Sequence, residues 1–240
     1  MKKRLIWVAV IIVFVLVACS IENNSLSEEE QEMQEILEAI AEIQDDELEE
    51  AYTIESQGIV LGTFEPVMLS GNGQTVTDFV NIPFPLAIAA ITHDGSSNFS
   101  INQYDENFES GRPSLVMNRI GIVEDSVLLD TSSINGLVSF SVAADGNWTI
   151  TIKPLIEAND MVFSGTGTLV TGVFQAPANA PWHFTHDGSR NFIVQLYSSR
   201  GTYTVINERG VFDGTTGVNF GDDLAFWIVR ADGNWTIRAQ

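Results

Sequence analysis

The chain reads as an all-β protein: two tandem antiparallel β-sandwich domains, immunoglobulin-like or jelly-roll-like, behind a signal peptide and an acidic helical stalk. Three observations predict this. After Ile54 the composition turns to Gly, Thr, Val, Asn and aromatic residues, with turn signals about every eight to twelve residues, the spacing of short strands in a sandwich or barrel. The same series of motifs is then written twice, in the same order. Each copy is about 75–95 residues long, close to the size of a two-sheet sandwich domain.

The first 18 residues read as a lipoprotein signal peptide. Lys2, Lys3 and Arg4 form a positive n-region, and Leu5 to Ala18 is an unbroken apolar run. That run is short of the roughly 20 residues a membrane span needs and fits a signal-peptide core. It ends in Leu16-Val17-Ala18-Cys19, and Cys19 is the one cysteine of the chain, so no intramolecular disulfide forms. The LVAC sequence resembles a bacterial lipobox. The resemblance implies cleavage before Cys19, a lipid on its thiol, and a place on the bacterial cell membrane facing the extracytoplasmic side. Two or three acyl chains hold a protein firmly where one binds only marginally. An ordinary signal peptide with an incidental cysteine is the competing reading.

Residues 19–56 read as a lipid-anchored acidic linker and helix. From Glu22 to Glu55 there are fourteen acidic residues and no basic one. Ser27-Glu28-Glu29-Glu30 has capping-box spacing, and acidic side chains suit the first turn of a helix. Met33, Ile36, Ile40 and Ile43 then form one apolar stripe, predicting a helix to about Glu50, roughly 35 Å long at ~1.5 Å per residue. A solvated spacer, a short coiled coil and a docking helix all fit this pattern. The whole chain carries a net charge of -21, which repels nucleic acid and anionic headgroups.

The repeat occupies residues 57–155 and 160–240. Ser70-Gly71-Asn72-Gly73 and Val76-Thr77 match Ser164-Gly165-Thr166-Gly167 and Val170-Thr171. THDGS-x-NF begins at Thr92 and again at Thr185; Asn118-Arg119-Ile120-Gly121 matches Asn207-Glu208-Arg209-Gly210. Ala144-Asp145-Gly146-Asn147-Trp148-Thr149-Ile150 matches Ala231-Asp232-Gly233-Asn234-Trp235-Thr236-Ile237. Pro154 interrupts a ladder and marks the junction. The alternative to two domains is one pseudo-symmetric sandwich built from both halves.

Asp145-Gly146 and Asp232-Gly233, each between alternating apolar runs, predict β-hairpins. Parity puts Trp148 and Trp235 in the core rather than on a sugar-stacking surface. THDGS-x-NF reads the same way, as turn chemistry: Asp94, Gly95 and Asn98, like Asp187, Gly188 and Asn191, are turn residues. His93 and His186 have core-facing parity at a strand end, where they would close the sandwich and donate to a loop. A metal site at His93, Asp94 and Asn98 is the rival reading, and a poor one, because a hard cation prefers several carboxylates. No metal or cofactor is expected. The Asn-Trp-Thr and Asn98-Phe99-Ser100 sequons read as turn chemistry too. No nucleophile elbow, phosphate loop or HExxH is present, and no catalytic residue is assigned. Glu124-Asp125 and Asp222-Asp223 read as solvated loop carboxylates.

The copies differ informatively at one strand. Ser139 and Ser141 give the first copy a polar outer face, where the second has Leu224, Phe226 and Ile228. Three large apolar residues on one face predict a covered surface, a candidate interface for the first domain, the stalk or a partner. The repeat as a whole, SGxG…VT…THDGSxNF…ADGNWTI, resembles β-sandwich repeats of secreted and lipid-anchored bacterial proteins of uncharacterised type. That implies an extracytoplasmic setting and carries no activity. The expected function is a non-enzymatic, lipid-anchored binding or presentation protein for a glycan, a wall polymer or a surface protein. A structural spacer and a hydrolase or enzyme accessory protein with a carboxylate site are the alternatives.

Overall fold

The computed structural model describes residue 59 and residues 61–105, 114–131, 136–175, 178–219 and 224–240; the signal peptide, Cys19, the predicted stalk helix and Asp222-Asp223 lie outside the described residues. The first copy contributes β1 (Val67–Asn72), β2 (Thr75–Val76), β3 (Val80–Asn81), β4 (Leu86–His93), β5 (Asn98–Asp105), β6 (Ser114–Ile120), β7 (Val123–Asp130), β8 (Leu137–Ala143) and β9 (Asn147–Pro154). The second repeats the series as β10 (Val162–Thr166), β11 (Leu169–Val170), β12 (Phe174–Gln175), β13 (Asn179–His186), β14 (Asn191–Ser198), β15 (Gly201–Arg209), β16 (Phe212–Asn219), β17 (Leu224–Arg230) and β18 (Asn234–Ala239).

Pairing in the first copy is nested. β5 pairs with β6, β4 with β7, β2 and β3 with β8, and β1 with β9, all antiparallel. This is one long ribbon, and rolling it up brings β4 beside β9 and β5 beside β8. The result is two facing sheets, β1-β9-β4-β7 and β2-β8-β5-β6, which is the strand order of a jelly roll. The second copy forms β10-β18-β13-β16 and β11-β17-β14-β15 in the same way. Each copy thus has its own pair of sheets, and the single pseudo-symmetric sandwich does not occur.

One sequence expectation is corrected here. Neither THDGS-x-NF nor ADGNW makes a hairpin. β4 and β5 belong to different sheets, as do β8 and β9. The Asp-Gly turns are arches that carry the chain across the sandwich. Alternating apolar runs on either side of a turn look the same whether the strands pair or face one another.

The core follows from strand parity. Phe140 and Val142 of one sheet meet Trp148, Ile150 and Ile152 of the other, together with Phe99 and Ile91. The second core holds Trp182, Phe184, Phe192, Trp227, Trp235 and Ile237. Thr77 and Thr171, of the Val-Thr motif, sit at a break between two short strands. There the Thr77 hydroxyl accepts the Phe140 amide proton at 3.0 Å, and Thr171 does the same for Trp227 at 3.0 Å. A hydroxyl thereby replaces a missing ladder partner for a buried N–H.

A third apolar cluster joins the two sandwiches. Phe226, fully buried, packs with Leu86 and Ile88 of β4, with Leu155 and with Ile59 and Leu61; Leu224 and Ile228 lie against them. The outer face of β4 and β7 in the first copy therefore meets the outer face of β17 and β14 in the second. The Tyr197 ring stacks on Phe226 at 4.8 Å. Polar bonds edge the contact: Ser126 N–H donates to Thr168 O at 2.9 Å, and Thr168 N–H to Asp125 Oδ1 at 3.0 Å. The Arg119 guanidinium bridges Asp125 and the Thr168 hydroxyl.

Candidate functional site

All the repeated motifs except the Val-Thr pair converge on one end of each sandwich, where four turns meet. Asp94, on the β4–β5 arch, accepts the Asn147 amide proton at 2.7 Å and the Asn147 side-chain amide at 2.8 Å, across to the β8–β9 arch. Asp145, on the β8–β9 arch, accepts in return from the Ser96 and Ser97 backbone amides at 3.0 and 2.9 Å and from the Ser96 hydroxyl. Each arch thus lends the other one carboxylate. Trp148 donates from Nε1 to Gly73 O at 3.1 Å, drawing in the β1–β2 turn, and Gly73 N–H donates to Gly146 O at 2.9 Å. The arches cross so closely that a Cβ on Gly146 would lie 2.6 Å from the Gly95 nitrogen, so only glycine fits.

His93 ties in the fourth turn. Its Nδ1 lies 2.8 Å from Gly121 O in the β6–β7 turn, so Nδ1 carries the donated proton. The ring is buried and stacks flat on Phe99, with centroids 4.3 Å apart. Nε2 approaches Asp145 Oδ1 at 3.3 Å, off the line of a hydrogen bond. Asn98 opens β5 and makes no side-chain hydrogen bond among the described residues.

The second copy reproduces every link. Asp187 accepts from the Asn234 backbone and side chain at 2.7 and 2.8 Å. Asp232 accepts from the Ser189 and Arg190 amides and the Ser189 hydroxyl. His186 Nδ1 meets Gly210 O at 2.8 Å and its Nε2 lies 3.4 Å from Asp232; Trp235 donates to Gly167 O at 3.0 Å. Gly188 and Gly233 pass one another as Gly95 and Gly146 do. Asn191 opens β14.

This arrangement holds turns and does not have the geometry of a hydrolytic triad. In a hydrolytic triad a histidine bridges a hydroxyl and a carboxylate. Here Ser96 binds the carboxylate itself, and the second histidine nitrogen is spent on a backbone carbonyl. Asp94 does not converge with His93, whose carboxylate neighbour is Asp145 from the other arch. Among the described residues no group of three or more His, Cys, Asp or Glu side chains is placed to hold a metal ion.

The four arch carboxylates are held below the usual Asp range. For Asp94 the cause is the Asn147 side-chain amide and then its backbone amide; for Asp187 it is Asn234 in the same order. For Asp145 and Asp232 desolvation pushes upward, and the Ser96 and Ser97 amides, or those of Arg190 and Ser189, outweigh it. A carboxyl depressed on folding contributes stability above its unfolded pKa, and that contribution is lost as pH falls through the folded value. The urea midpoint is therefore expected to fall between about pH 5 and pH 2. In Asp94→Asn/Asp187→Asn protein that slope should be shallower. An unchanged slope would show that these carboxylates are not linked to folding.

A second candidate is a cleft of about 590 Å³ between the sandwiches. It runs from β6 and β7 of the first copy to the outer face of β14, β15 and β17 of the second, and Gln103, Leu115, Arg119, Gln195, Ile228 and Arg230 line it. Its size falls within the ordinary range of ligand pockets, which favour such junctions. Motif reading missed this site because several of its polar groups sit where the copies differ. Gln103 stands opposite Leu196 in the repeat, Arg119 opposite Glu208, and Arg230 opposite Ala143. That divergence is the signal that could have found them.

No family description matches the chain, and no curated protein does. Solved structures with some likeness include a structure of Sulfolobus Turreted Icosahedral Virus, 12% identical over 73% of this chain and 92% of that one, with a TM-score of 0.23. Another is Ruminococcus gnavus Beta-glucuronidase, 11% identical over 66% of this chain and 32% of that one, TM-score 0.23. A third is the stem and receptor binding domain of the spike protein P1 from bacteriophage PM2, 10% identical over 74% and 79%, TM-score 0.18. Similarity this low carries nothing to this chain.

Proposed function

We propose that this chain is a lipid-anchored, extracytoplasmic, non-catalytic binding protein whose ligand is a glycan, a wall polymer or a surface protein. The observation that carries this reading is the division of labour among polar side chains. Most of those written twice hold turns, whereas Gln103, Arg119 and Arg230, which differ between copies, line the cleft. A fold that repeats its fastenings and varies its groove is organised to present a surface. Cys19 supplies the anchor, and the acidic segment behind it sets the jelly rolls off the membrane.

The anchor predicts a clear result. Full-length protein expressed in bacteria should partition with membranes, its processing should stop with globomycin, and Cys19→Ala should abolish lipid labelling. Labelling that survives Cys19→Ala would remove the lipoprotein reading. Binding is tested separately, by presenting the detergent-solubilised full chain to a glycan array and to purified wall polymer and surface-protein fractions. Retention by none of them would remove the binding reading and leave a spacer.

A further inference from the structure

We propose that the cleft between the two jelly rolls is the binding site, and that it takes an acidic saccharide, a sugar chain bearing carboxylate or phosphate. This rests on the binding reading above and names its site and ligand class.

Three features on the cleft walls point to that chemistry. Arg230 lies on the outer face of β17, in line with Ile228 and Phe226, and is exposed. Its guanidinium has no side-chain partner among the described residues. The neighbouring Arg119, by contrast, is already committed to Asp125 and Thr168. What distinguishes Arg230 from the other exposed cations is its place on the cleft wall. A guanidinium offers a planar pair of donors that fits a carboxylate or phosphate. Asp130 also lines the cleft, but with Arg119 and Arg230 the lining carries one more cation than anion, and repulsion from the more distant acidic surface is screened beyond roughly 8 Å at physiological salt.

The second feature is Gln103. It is 7% exposed, and its amide nitrogen is spent on Asp130 O at 3.3 Å. Its amide oxygen has no partner among the described residues, and the residue lines the cleft. An acceptor without a partner on the wall of a cleft is one to which a sugar hydroxyl can donate. Gln195, on β14, lines the same groove; its amide nitrogen donates to the Thr204 hydroxyl at 3.4 Å, and its amide oxygen adds a second acceptor.

The third feature is the mixed character of the wall. Leu115, 61% exposed, and Ile228 supply apolar surface between the polar groups. A sugar ring presents C–H patches between hydroxyls, whereas a simple anion presents none. The second copy's outer face is divided accordingly. Its apolar part at Phe226 is sealed by the first sandwich, and its polar part at Gln195 and Arg230 is left at the cleft.

The test uses full-length protein in detergent on an array of uronate-, sialate- and phosphate-bearing glycans, each acidic sugar beside its carboxyl-reduced or dephosphorylated form. Wild type should retain at least one acidic glycan in preference to its neutral form, with retention falling as salt rises. Arg230→Ala should weaken it about 10-fold or more, the effect of losing a bond to a charged partner. Arg230→Lys should recover part of this, and Arg238→Ala, on β18 away from the cleft, none of it. Equal retention of charged and neutral forms, or indifference to Arg230→Ala, would overturn the assignment while leaving a binding protein. Retention of no glycan, wall polymer or surface protein would overturn both.

Discussion

Trp148→Ala is expected to destabilise the first jelly roll by about 3–5 kcal/mol, the range for deleting a large buried aromatic side chain. Small domains are stable by about 5–15 kcal/mol in total, so this substitution should bring the fold near its limit. The cost has two sources. The ring fills the space between the sheets and is 1% exposed, so its loss leaves a cavity among Phe140, Phe99 and Ile150. Its Nε1 also holds the β1–β2 turn through Gly73 O. Trp148→Phe keeps most of the filling and loses the bond, and should cost clearly less. Trp235→Ala should behave alike in the second jelly roll, because the construction is the same: a Cβ added at Gly165 would lie 2.7 Å from the Trp235 ring, so strand β10 passes directly against it. Urea denaturation of each variant decides the matter. A loss below about 1 kcal/mol would mean that these tryptophans are not the pillars their burial makes them.

Phe226→Ala should separate the two jelly rolls. Phe226 is fully buried at the centre of their contact and stacks on Tyr197. Truncating a buried phenylalanine costs about 3–5 kcal/mol, and here that falls on the joint rather than on either core. Wild type should unfold in urea as one cooperative step. In Phe226→Ala the sandwiches should unfold in two, each with a shallower denaturant dependence, because less surface is exposed per step. Phe226→Leu keeps most of the contact and should stay close to wild type. A single transition in Phe226→Ala at the wild-type midpoint would show that the remaining bonds, such as Ser126 to Thr168, suffice to couple them.

The two-sheet architecture and the core could be read from the amino-acid order because both depend on parity, which is local. Trp148, Phe140 and Ile150 fall on the buried side wherever their strands pair. Partnering between strands is not local, and there the reading failed. An Asp-Gly turn between alternating runs describes an arch as well as a hairpin, and which one forms is set by β4 pairing with β9 and β5 with β8. The exchange of Asp94 and Asp145 between arches was hidden for the same reason: each motif looked complete in itself. The apolar face at Leu224, Phe226 and Ile228 could be seen because two copies were available to compare. The same comparison could have marked Arg230 and Gln103, but it did not, because without the fold nothing brings those residues to one groove.

The joint between the copies has a consequence for growth. The face that Phe226 presents differs from the face that Leu86 and Ile88 present, so the contact is head to tail and has no symmetry that closes it. A third jelly roll could in principle be added by the same step, and a fourth after it, as in a fibre. The two faces outside the joint differ in side-chain chemistry from the two within it. Where the first copy has Leu86, Ile88 and Ala90, the second has Asn179, Pro181 and His183. Where the second has Phe226 and Ile228, the first has Ser139 and Ser141; Ser139 is not solvated as its place on an outer face predicts, but is buried with its hydroxyl donating to Thr77 O at 2.9 Å. Duplication supplied an open-ended geometry, and the two faces left outside the joint no longer carry the apolar residues that make it.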